Sequence, residues 1–277
     1  MGKQNSNFAG VGSVTGGEYE KISMSGSGMI TGDVVCDSFH TSGSGHAKGK
    51  VDCRGEMHTS GSFHGEGDVK AGAVHTSGSS HFGGNLAVEG LMKTSGSLRC
   101  QKDAKAKDMQ TSGSARVDGD LEVENAETSG SLSIGGSLNA GKLRTSGKLE
   151  VGKDCEAEEF FSSGRLEIGG LLNAGTVEIE LNSVKDSVVG EIGGERITVT
   201  WKPAASFLSR IFGASRNGML ETGAIEGDEV RLEQTRAKVV RGRNVTVGAG
   251  CYVKLVEYSG VLQVADGATV EQQVKVD

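Results

Sequence analysis

The sequence is poor in proline and in aromatic residues. Its 277 residues include one proline, Pro203, and aromatic residues make up 4% of the chain. Strands need their backbone N–H groups for pairing, and proline has none, so its scarcity favours extended β-structure. The few aromatic side chains argue against a thick globular core. They predict a narrow interior filled by small side chains.

An excess of positive charge and a long apolar run are also missing. The formal net charge is −7, which argues against binding to a nucleic-acid backbone. No run of 18 apolar residues occurs, so no membrane span is predicted, and residues 1–17 lack the blocks of a signal peptide. The cysteine count of five is odd, which does not favour a disulfide framework. We expect a cytoplasmic protein, at most peripheral to a membrane, with no nucleic-acid partner.

What the sequence has in abundance is a repeated Ser-Gly pair. The serines of its nine copies are Ser25, Ser42, Ser60, Ser77, Ser95, Ser112, Ser129, Ser146 and Ser163. A nearly constant period of about 17–18 residues indicates a repeat architecture, in which each period is one coil.

Between the Ser-Gly pairs, six positions of every coil carry small or apolar residues. Counted from the serine they are plus 3, plus 5, plus 9, plus 11, minus 3 and minus 1, and none of them holds Asp, Glu, Lys or Arg in any of the nine coils. The spacing of two within each pair of positions predicts strands, and the Gly, Asp, Asn or Ser residues between the pairs predict corners. Three strands per coil, stacked coil on coil, predict an all-β parallel β-helix with these columns inside. In the longer coils the extra residue is expected at a corner beside Gly55 or Gly90.

The period divides the chain into four predicted segments. They are a disordered N-terminal tail at 1–19, a main β-helix at 20–201, a helical or loop insert at 202–223 and a second β-helical block at 224–277. The insert is predicted because Phe207, Leu208, Ile211 and Phe212 fall at helical spacing.

All six histidines lie in two columns that are predicted to face outwards. They are His40, His58 and His75 at minus 2, and His46, His64 and His81 at plus 4. Stacked imidazoles could share a metal ion such as zinc or copper. The alternative is a solvent-exposed ladder, and no carboxylate or cysteine recurs beside the histidines in a fixed pattern. We therefore predict no metal and no other cofactor, and the six histidines remain the candidate ligands.

The Ser-Gly repeat itself predicts corners rather than catalysis. A serine nucleophile needs a nearby base and an oxyanion hole, and nine copies of one motif single out no serine. Ser and Thr hydroxyls are expected to bond backbone groups in the corners, while glycine permits a positive φ. No catalytic residue is predicted.

The ends of the predicted stack are the expected interaction surface. An uncapped coil presents unpaired backbone groups and open apolar columns, and these template pairing with another chain. The residues predicted to make end contacts are Ile22, Met24, Val270, Val274 and Val276. The predicted partner is a second copy of the chain.

The alternation of small and apolar residues between glycine corners resembles the bactofilins, polymer-forming cytoskeletal proteins of bacteria. The resemblance is carried by residues 129–179, with SIGGSLNAG and LEIGGLLNAG, while GRNVTVGAGCYVKLVEYSG at 242–260 is similar to more complex relatives. It covers about residues 21–181 and 224–277. It implies a right-handed, triangular β-helix that polymerises through its ends without nucleotide. It also implies a scaffolding role in cell shape, envelope organisation or motility, with membrane-associated or envelope proteins as partners.

Two other classes of function remain open. A hexapeptide-repeat acyltransferase, built on a left-handed β-helix, would trimerise and use one histidine between subunits. That family favours the longer of the two coil lengths, whereas most coils here are one residue shorter and the histidines form ladders. A β-solenoid that binds a metal or a surface ligand through the histidine columns is the third class. The prediction is a non-enzymatic scaffold.

Overall fold

A computed structural model describes residues 4–182, 185–202 and 218–277. The chain divides into two compact units, which we call unit 1, Met1–Ser137, and unit 2, Leu138–Asp277. The described elements are all β-strands, and each unit is a parallel β-solenoid, as predicted. The predicted helical segment around 203–217 lies outside the described residues.

Unit 1 alternates long and short strands. They are β1 Gln4–Phe8, β2 Val11–Val14, β3 Gly17–Met24, β4 Ser27–Ile30, β5 Val34–Thr41, β6 Ser44–Ala47, β7 Val51–Thr59, β8 Ser62–Gly65, β9 Val69–Thr76, β10 Ser79–Phe82, β11 Leu86–Thr94, β12 Ser97–Cys100, β13 Ala104–Thr111, β14 Ser114–Val117, β15 Leu121–Thr128 and β16 Ser131–Ile134. Each strand from β1 to β14 pairs in parallel with the strand two further along the chain, so long strands stack on long strands and short on short.

The core of unit 1 is made of the predicted inward columns. Each short strand from β4 buries two residues, and each long strand from β5 buries two pairs that are separated by outward-facing residues at a bend. Each coil therefore has three inward pairs, which is the three-sided cross-section that the spacing predicted. Every residue of the six columns within unit 1 is buried. The interior is narrow enough that aromatic rings from neighbouring coils are in contact, with Phe39 and Phe63 meeting edge to face at a centroid distance of 5.3 Å.

The threonine before the Ser-Gly pair also faces this interior. We expected its hydroxyl to form a hydrogen bond with the corner backbone. In most coils of unit 1 it forms no such bond. The buried Oγ1 atoms without a hydrogen-bond partner belong to Thr41, Thr94, Thr111 and Thr128. The expectation was wrong because the side chain turns into the core, away from the corner backbone. Thr59 and Thr76 are exceptions, since their Oγ1 atoms lie 2.6 Å and 3.4 Å from Ser80 Oγ.

The repeated glycine is required by close approach and not by a positive φ. Positive φ in the described residues occurs at Gly17, Gly250, Gly267 and Gln234, none of which belongs to a Ser-Gly pair. The positive φ that we expected is therefore wrong. A Cβ added to Gly113 would lie 2.1 Å from the carbonyl oxygen of Gly96 in the coil before it. That carbonyl accepts a hydrogen bond from the Ser114 N–H at 2.9 Å, so the two corners are held in contact.

The longer coils take up their extra residue at a corner, as predicted. Pairing of β7 with β9 is irregular between Cys53 and Glu56, and pairing of β11 with β13 is irregular between Val88 and Leu91. After each irregularity the columns resume, with Met57 opposite Val74. The insertion therefore leaves the core in register.

Residues 4–19, where we predicted a disordered tail, contain strands instead. β1 pairs with β3, and β2 pairs with β4. The segment carries no Ser-Gly pair, but Gly10 precedes Gly26 by about the length of one coil, and its carbonyl accepts a hydrogen bond from Ser27 N–H at 3.0 Å. A coil can form there because pairing needs backbone groups and a compact corner, and the full repeat motif is not required.

Unit 2 begins with the same alternation and continues with longer strands. They are β17 Leu138–Thr145, β18 Lys148–Val151, β19 Cys155–Ser162, β20 Arg165–Leu181, β21 Ser187–Trp201, β22 Leu220–Leu232, β23 Thr235–Val247, β24 Tyr252–Tyr258, β25 Leu262–Val264 and β26 Thr269–Lys275. β20 pairs with both β18 and β19, so this one strand runs through a whole coil. Then β20 to β23 stack in order, and β24 and β25 both pair with β23.

The core of unit 2 is made of residues at the same predicted column positions. In its coils up to Ala174 the predicted column positions are buried, except Ala157, which is half-buried. Val230, Val240 and Val256 belong to later coils that lack the Ser-Gly pair, and they are buried as well. Strand β22 begins at Leu220, so the second block starts slightly before the predicted residue 224.

Candidate functional site

The last described coil of unit 2 has an open apolar edge. It consists of β25 and β26, and β26 pairs with β24 on one side. Among the residues that the structure describes, no strand pairs with its other side. Val264, Val274 and Val276 are 41%, 43% and 42% exposed there. We call β25, β26 and these three valines the terminal edge.

The structure separates the five predicted end-contact residues. Val274 lies on the terminal edge, Val276 follows β26 directly, and Val270 is half-buried in β26. Ile22 and Met24 are fully buried instead, because β1 pairs over β3 and places Ser6 opposite Ile22. The prediction was wrong for these two residues, since residues 4–14 form a further coil that covers them.

The histidine columns run along the outer surface of unit 1, as their spacing predicted. They flank the Ser-Gly corner, because His40, His58 and His75 precede it on the long strands while His46, His64 and His81 follow it on the short strands. In the first column the rings of His40 and His58 are stacked with centroids 5.0 Å apart. In the second, His64 and His81 are stacked at 4.8 Å. Partial burial, followed by the neighbouring His58, lowers the pKa of His40. The same cause, followed by His64, lowers the pKa of His81.

Two of the three histidines in the first column converge on one carboxylate. Glu56 Oε1 lies 3.0 Å from His75 Nδ1 and 3.7 Å from His58 Nδ1. On the opposite side of its ring, His58 Nε2 is 2.9 Å from Ser60 Oγ, a serine of the repeat. This contact fixes the ring so that Nδ1 is turned towards the carboxylate. We call Glu56, His58 and His75 the Glu56 cluster.

The second column contains an equivalent group. His46 Nε2 lies 2.7 Å from Glu66 Oε1, and the rings of His46 and His64 are 5.0 Å apart. The potential ligand atoms of His46, His64 and Glu66 all lie within 4.8 Å of one another, and the same limit holds in the Glu56 cluster. We call these three residues the Glu66 cluster.

The sequence reasoning missed both carboxylates. Among the three coils that carry histidines, only the coil of Ser60 has carboxylates at these two positions, so no repeated pattern marks them. Glu56 follows the irregularity in a longer coil, and Glu66 stands directly after β8. The signal available in the sequence was local, since each carboxylate lies two residues from a histidine of its cluster, at positions 56 and 58 and at positions 64 and 66.

The five cysteines are free and buried. Burial raises the pKa of the Cys155 thiol to about 12 and that of Cys251 to about 11. In unit 1, a hydrogen bond with Cys53, together with burial, raises the pKa of the Cys36 thiol. The same hydrogen bond lowers the pKa of the Cys53 thiol. Buried thiols whose pKa is raised fill space and are poor nucleophiles, which agrees with the apolar role that their columns indicate.

An open groove of about 1080 Å³ lies on unit 2 along a line of glycines that includes Gly193, Gly227 and Gly242. Its lining contains six carboxylates and two arginines, and Arg241 Nε lies 2.6 Å from Glu257. The groove thus combines small side chains with an excess of negative charge.

The fold defines the class as a parallel β-solenoid protein. The chain is 41% identical over 106 residues to the uncharacterized protein YhbF of Bacillus subtilis (strain 168), and the match covers 38% of this chain and 42% of YhbF. It is 38% identical over 106 residues to the uncharacterized protein YhbE of the same organism, covering 38% of this chain and 43% of YhbE. The chain thus spans about two fifths of the length of these curated relatives. No protein-family model and no solved structure matches the chain.

In the part of the chain that the structure describes, no helix has the length and apolar character needed to cross a bilayer.

Proposed function

We propose that this protein is a non-enzymatic scaffold, of the type that the bactofilin resemblance implies, which assembles with copies of itself through the terminal edge. The observation that carries the proposal is a strand edge on unit 2 that no described strand pairs, together with exposed valines at the same place. Assembly supplies hydrogen-bond partners for the side of β26 that no described residue pairs.

The physical reason is that an exposed strand edge templates the addition of another strand. Natural sheets suppress such edges with charge, proline or a covering segment. β26 contains no proline and carries two charged residues of opposite sign, Glu271 and Lys275, while its last apolar residue, Val274, is 43% exposed. Pairing would hide Val264, Val274 and Val276 from water, at roughly 25 cal/mol per Å² of apolar surface removed. No nucleotide takes part, because both contributions come from the protein itself.

The proposed cellular role is a cytoplasmic polymer that supports cell shape, envelope organisation or motility. The five free, buried cysteines support a reducing compartment. The partners in this role are further copies of the chain, with membrane-associated or envelope proteins attached to the polymer.

The experiment is negative-stain microscopy and sedimentation of the purified full chain without nucleotide, for the wild type and for Val274→Lys. We expect filaments or sheets from the wild type and soluble particles from Val274→Lys. Pairing at the edge would bury the charged lysine side chain, and removing that charge from water opposes assembly.

Val188→Lys is the matched control. Val188 is 47% exposed, on strand β21, which is paired on both sides. This variant should still assemble. A wild type that remains monomeric at high concentration, or a Val274→Lys variant that assembles as well as the wild type, would contradict the proposal.

A further inference from the structure

The two histidine–glutamate clusters of unit 1 share one chemical composition. Each brings two imidazoles and one carboxylate together on the outer surface, with all potential ligand atoms within 4.8 Å of one another. Imidazole and carboxylate are ligands that zinc and copper prefer, and two histidines with one glutamate make a known zinc-binding set. The arrangement is independent of the terminal edge, which lies in unit 2.

The spacing of the Glu56 cluster is close to that of a metal site. At a zinc–nitrogen distance of about 2.0–2.1 Å, neighbouring ligand atoms of a tetrahedral site lie about 3.3 Å apart. The carboxylate oxygen of Glu56 is 3.0 Å from His75 Nδ1 and 3.7 Å from His58 Nδ1. All three ligand atoms lie within 4.8 Å of one another, a separation that rotation of the side chains can shorten.

Two features of the fold position these ligands. The irregular pairing between Cys53 and Glu56 re-aims the chain just before the carboxylate, as β-bulges do at functional sites. The contact of Ser60 Oγ with His58 Nε2, at 2.9 Å, holds the imidazole ring from the side away from Glu56. Metal-bound histidines are commonly oriented by such a hydrogen bond to their second nitrogen.

Later coils of unit 1 carry other residues at the positions equivalent to the Glu66 cluster, and they show how those positions interact without histidine. Arg99 and Arg116 occupy the later histidine-column positions, and Asp118 occupies the position of Glu66 in its own coil. Asp118 accepts hydrogen bonds from Arg99 Nη2 at 2.8 Å and from Arg116 Nε at 2.6 Å. The position thus places two basic side chains around one carboxylate. With guanidinium groups the result is an ion pair, whereas with imidazoles each base keeps a lone pair that can bind a metal.

We propose that unit 1 binds divalent transition-metal ions, of the zinc and copper class, at two surface sites. One site is formed by Glu56, His58 and His75, and the other by His46, His64 and Glu66. Each protein site supplies three ligands, and water completes the coordination.

The test is titration of the full chain with ZnCl₂. The protein is purified without a polyhistidine tag and stripped with a chelator, and bound zinc is measured by calorimetry and by metal analysis after dialysis. We expect two zinc ions per chain. His58→Gln with His75→Gln should remove one of them, since Gln110 stands in the same column in a later coil. His46→Arg with His64→Arg should remove the other, because it recreates the pairing seen at Asp118.

The matched control replaces the two histidines that lie outside the clusters, His40→Gln with His81→Gln, and should retain two zinc ions. Glu56→Gln and Glu66→Gln, single changes on exposed side chains, should each weaken one site at least tenfold while the circular dichroism spectrum stays unchanged. A variant that combines both pairs of histidine substitutions should bind no zinc. Zinc binding by that variant, or a wild type that binds less than one zinc ion per chain, would overturn the proposal. A pair of substitutions that leaves the stoichiometry unchanged would overturn the site to which that pair belongs.

Discussion

The glycine of the Ser-Gly pair is fixed by a distance between coils. Its backbone conformation is open to any residue, but the space where a Cβ would lie is filled by the carbonyl oxygen of the preceding glycine. For each corner glycine of unit 1 from Gly43 to Gly130, an added Cβ would lie 2.0 or 2.1 Å from the carbonyl oxygen of the corner glycine one coil earlier. A methyl group cannot enter such a contact unless one coil moves away from the next. The recurrence of this small residue along the repeat therefore follows from stacking.

We predict that Gly113→Ala destabilises the protein by about 1–3 kcal/mol, the cost typical of overpacking a filled site. The alanine Cβ would meet Gly96 O at 2.1 Å, and backbone on backbone leaves no flexible group to yield. The measurement is the free energy of unfolding from urea denaturation.

Gly10→Ala serves as the control for this change. A Cβ there meets no heavy atom within 4 Å, so this variant should unfold at nearly the same urea concentration as the wild type. Equal stability of Gly113→Ala and the wild type would show that the corners can separate freely, against the close contact described above.

At the scale of the strand, outward-facing side chains tie neighbouring coils together. Asp118, just after β14, accepts hydrogen bonds from Arg116 on β14 and from Arg99 on β12. The hydrogen bond from Arg116, followed by those from Arg99, holds the pKa of the Asp118 carboxyl below its ordinary value of 3.8. A carboxyl with a lowered pKa in the folded state stabilises the fold above its unfolded pKa, and this contribution is lost as the pH falls through the folded value.

We therefore predict that Asp118→Asn is less stable than the wild type at pH 7 and that the difference shrinks as the pH falls below 3.8. Because the arginines are half-exposed, the difference at pH 7 should be modest, about 0.2–1 kcal/mol. Urea denaturation over a series of pH values measures it.

Glu124→Gln, on the outer face of β15, is the matched control and should show a smaller difference at pH 7. A gap between Asp118→Asn and the wild type that stays constant or widens towards low pH would contradict the assigned role of the ion pairs.

At the scale of the whole molecule, stability should depend on whether a coil has neighbours on both sides. In a stack of repeats each coil contacts only the next ones, so coils at an end open more easily than those in the middle. β7 and β9 are paired on both edges, whereas β26 is paired on one within the described structure.

We predict that hydrogen exchange separates these strands and reports assembly. In the soluble Val274→Lys variant, amides of β26 should exchange much faster than those of β7. In the assembled wild type, protection should rise in β26 and stay unchanged in β7. The measurement is hydrogen–deuterium exchange followed by mass spectrometry.

Full protection of β26 in the soluble variant would mean that another part of the chain already covers the terminal edge. That result would remove the basis for assembly through it, while leaving the two proposed metal sites untouched.

The sequence by itself determined the strands and corners of each coil, because every repeat must place uncharged residues at its buried positions. Charge is absent from the inward columns since a charged side chain cannot be placed in a narrow apolar interior, and this repeats often enough to be read directly. The tertiary structure alone decided what occurs once. It placed β1 over Ile22, and it brought Glu56 and Glu66 to the histidines. Such features depend on pairs of residues about one coil apart, and a pair that occurs in a single coil leaves no period in the sequence.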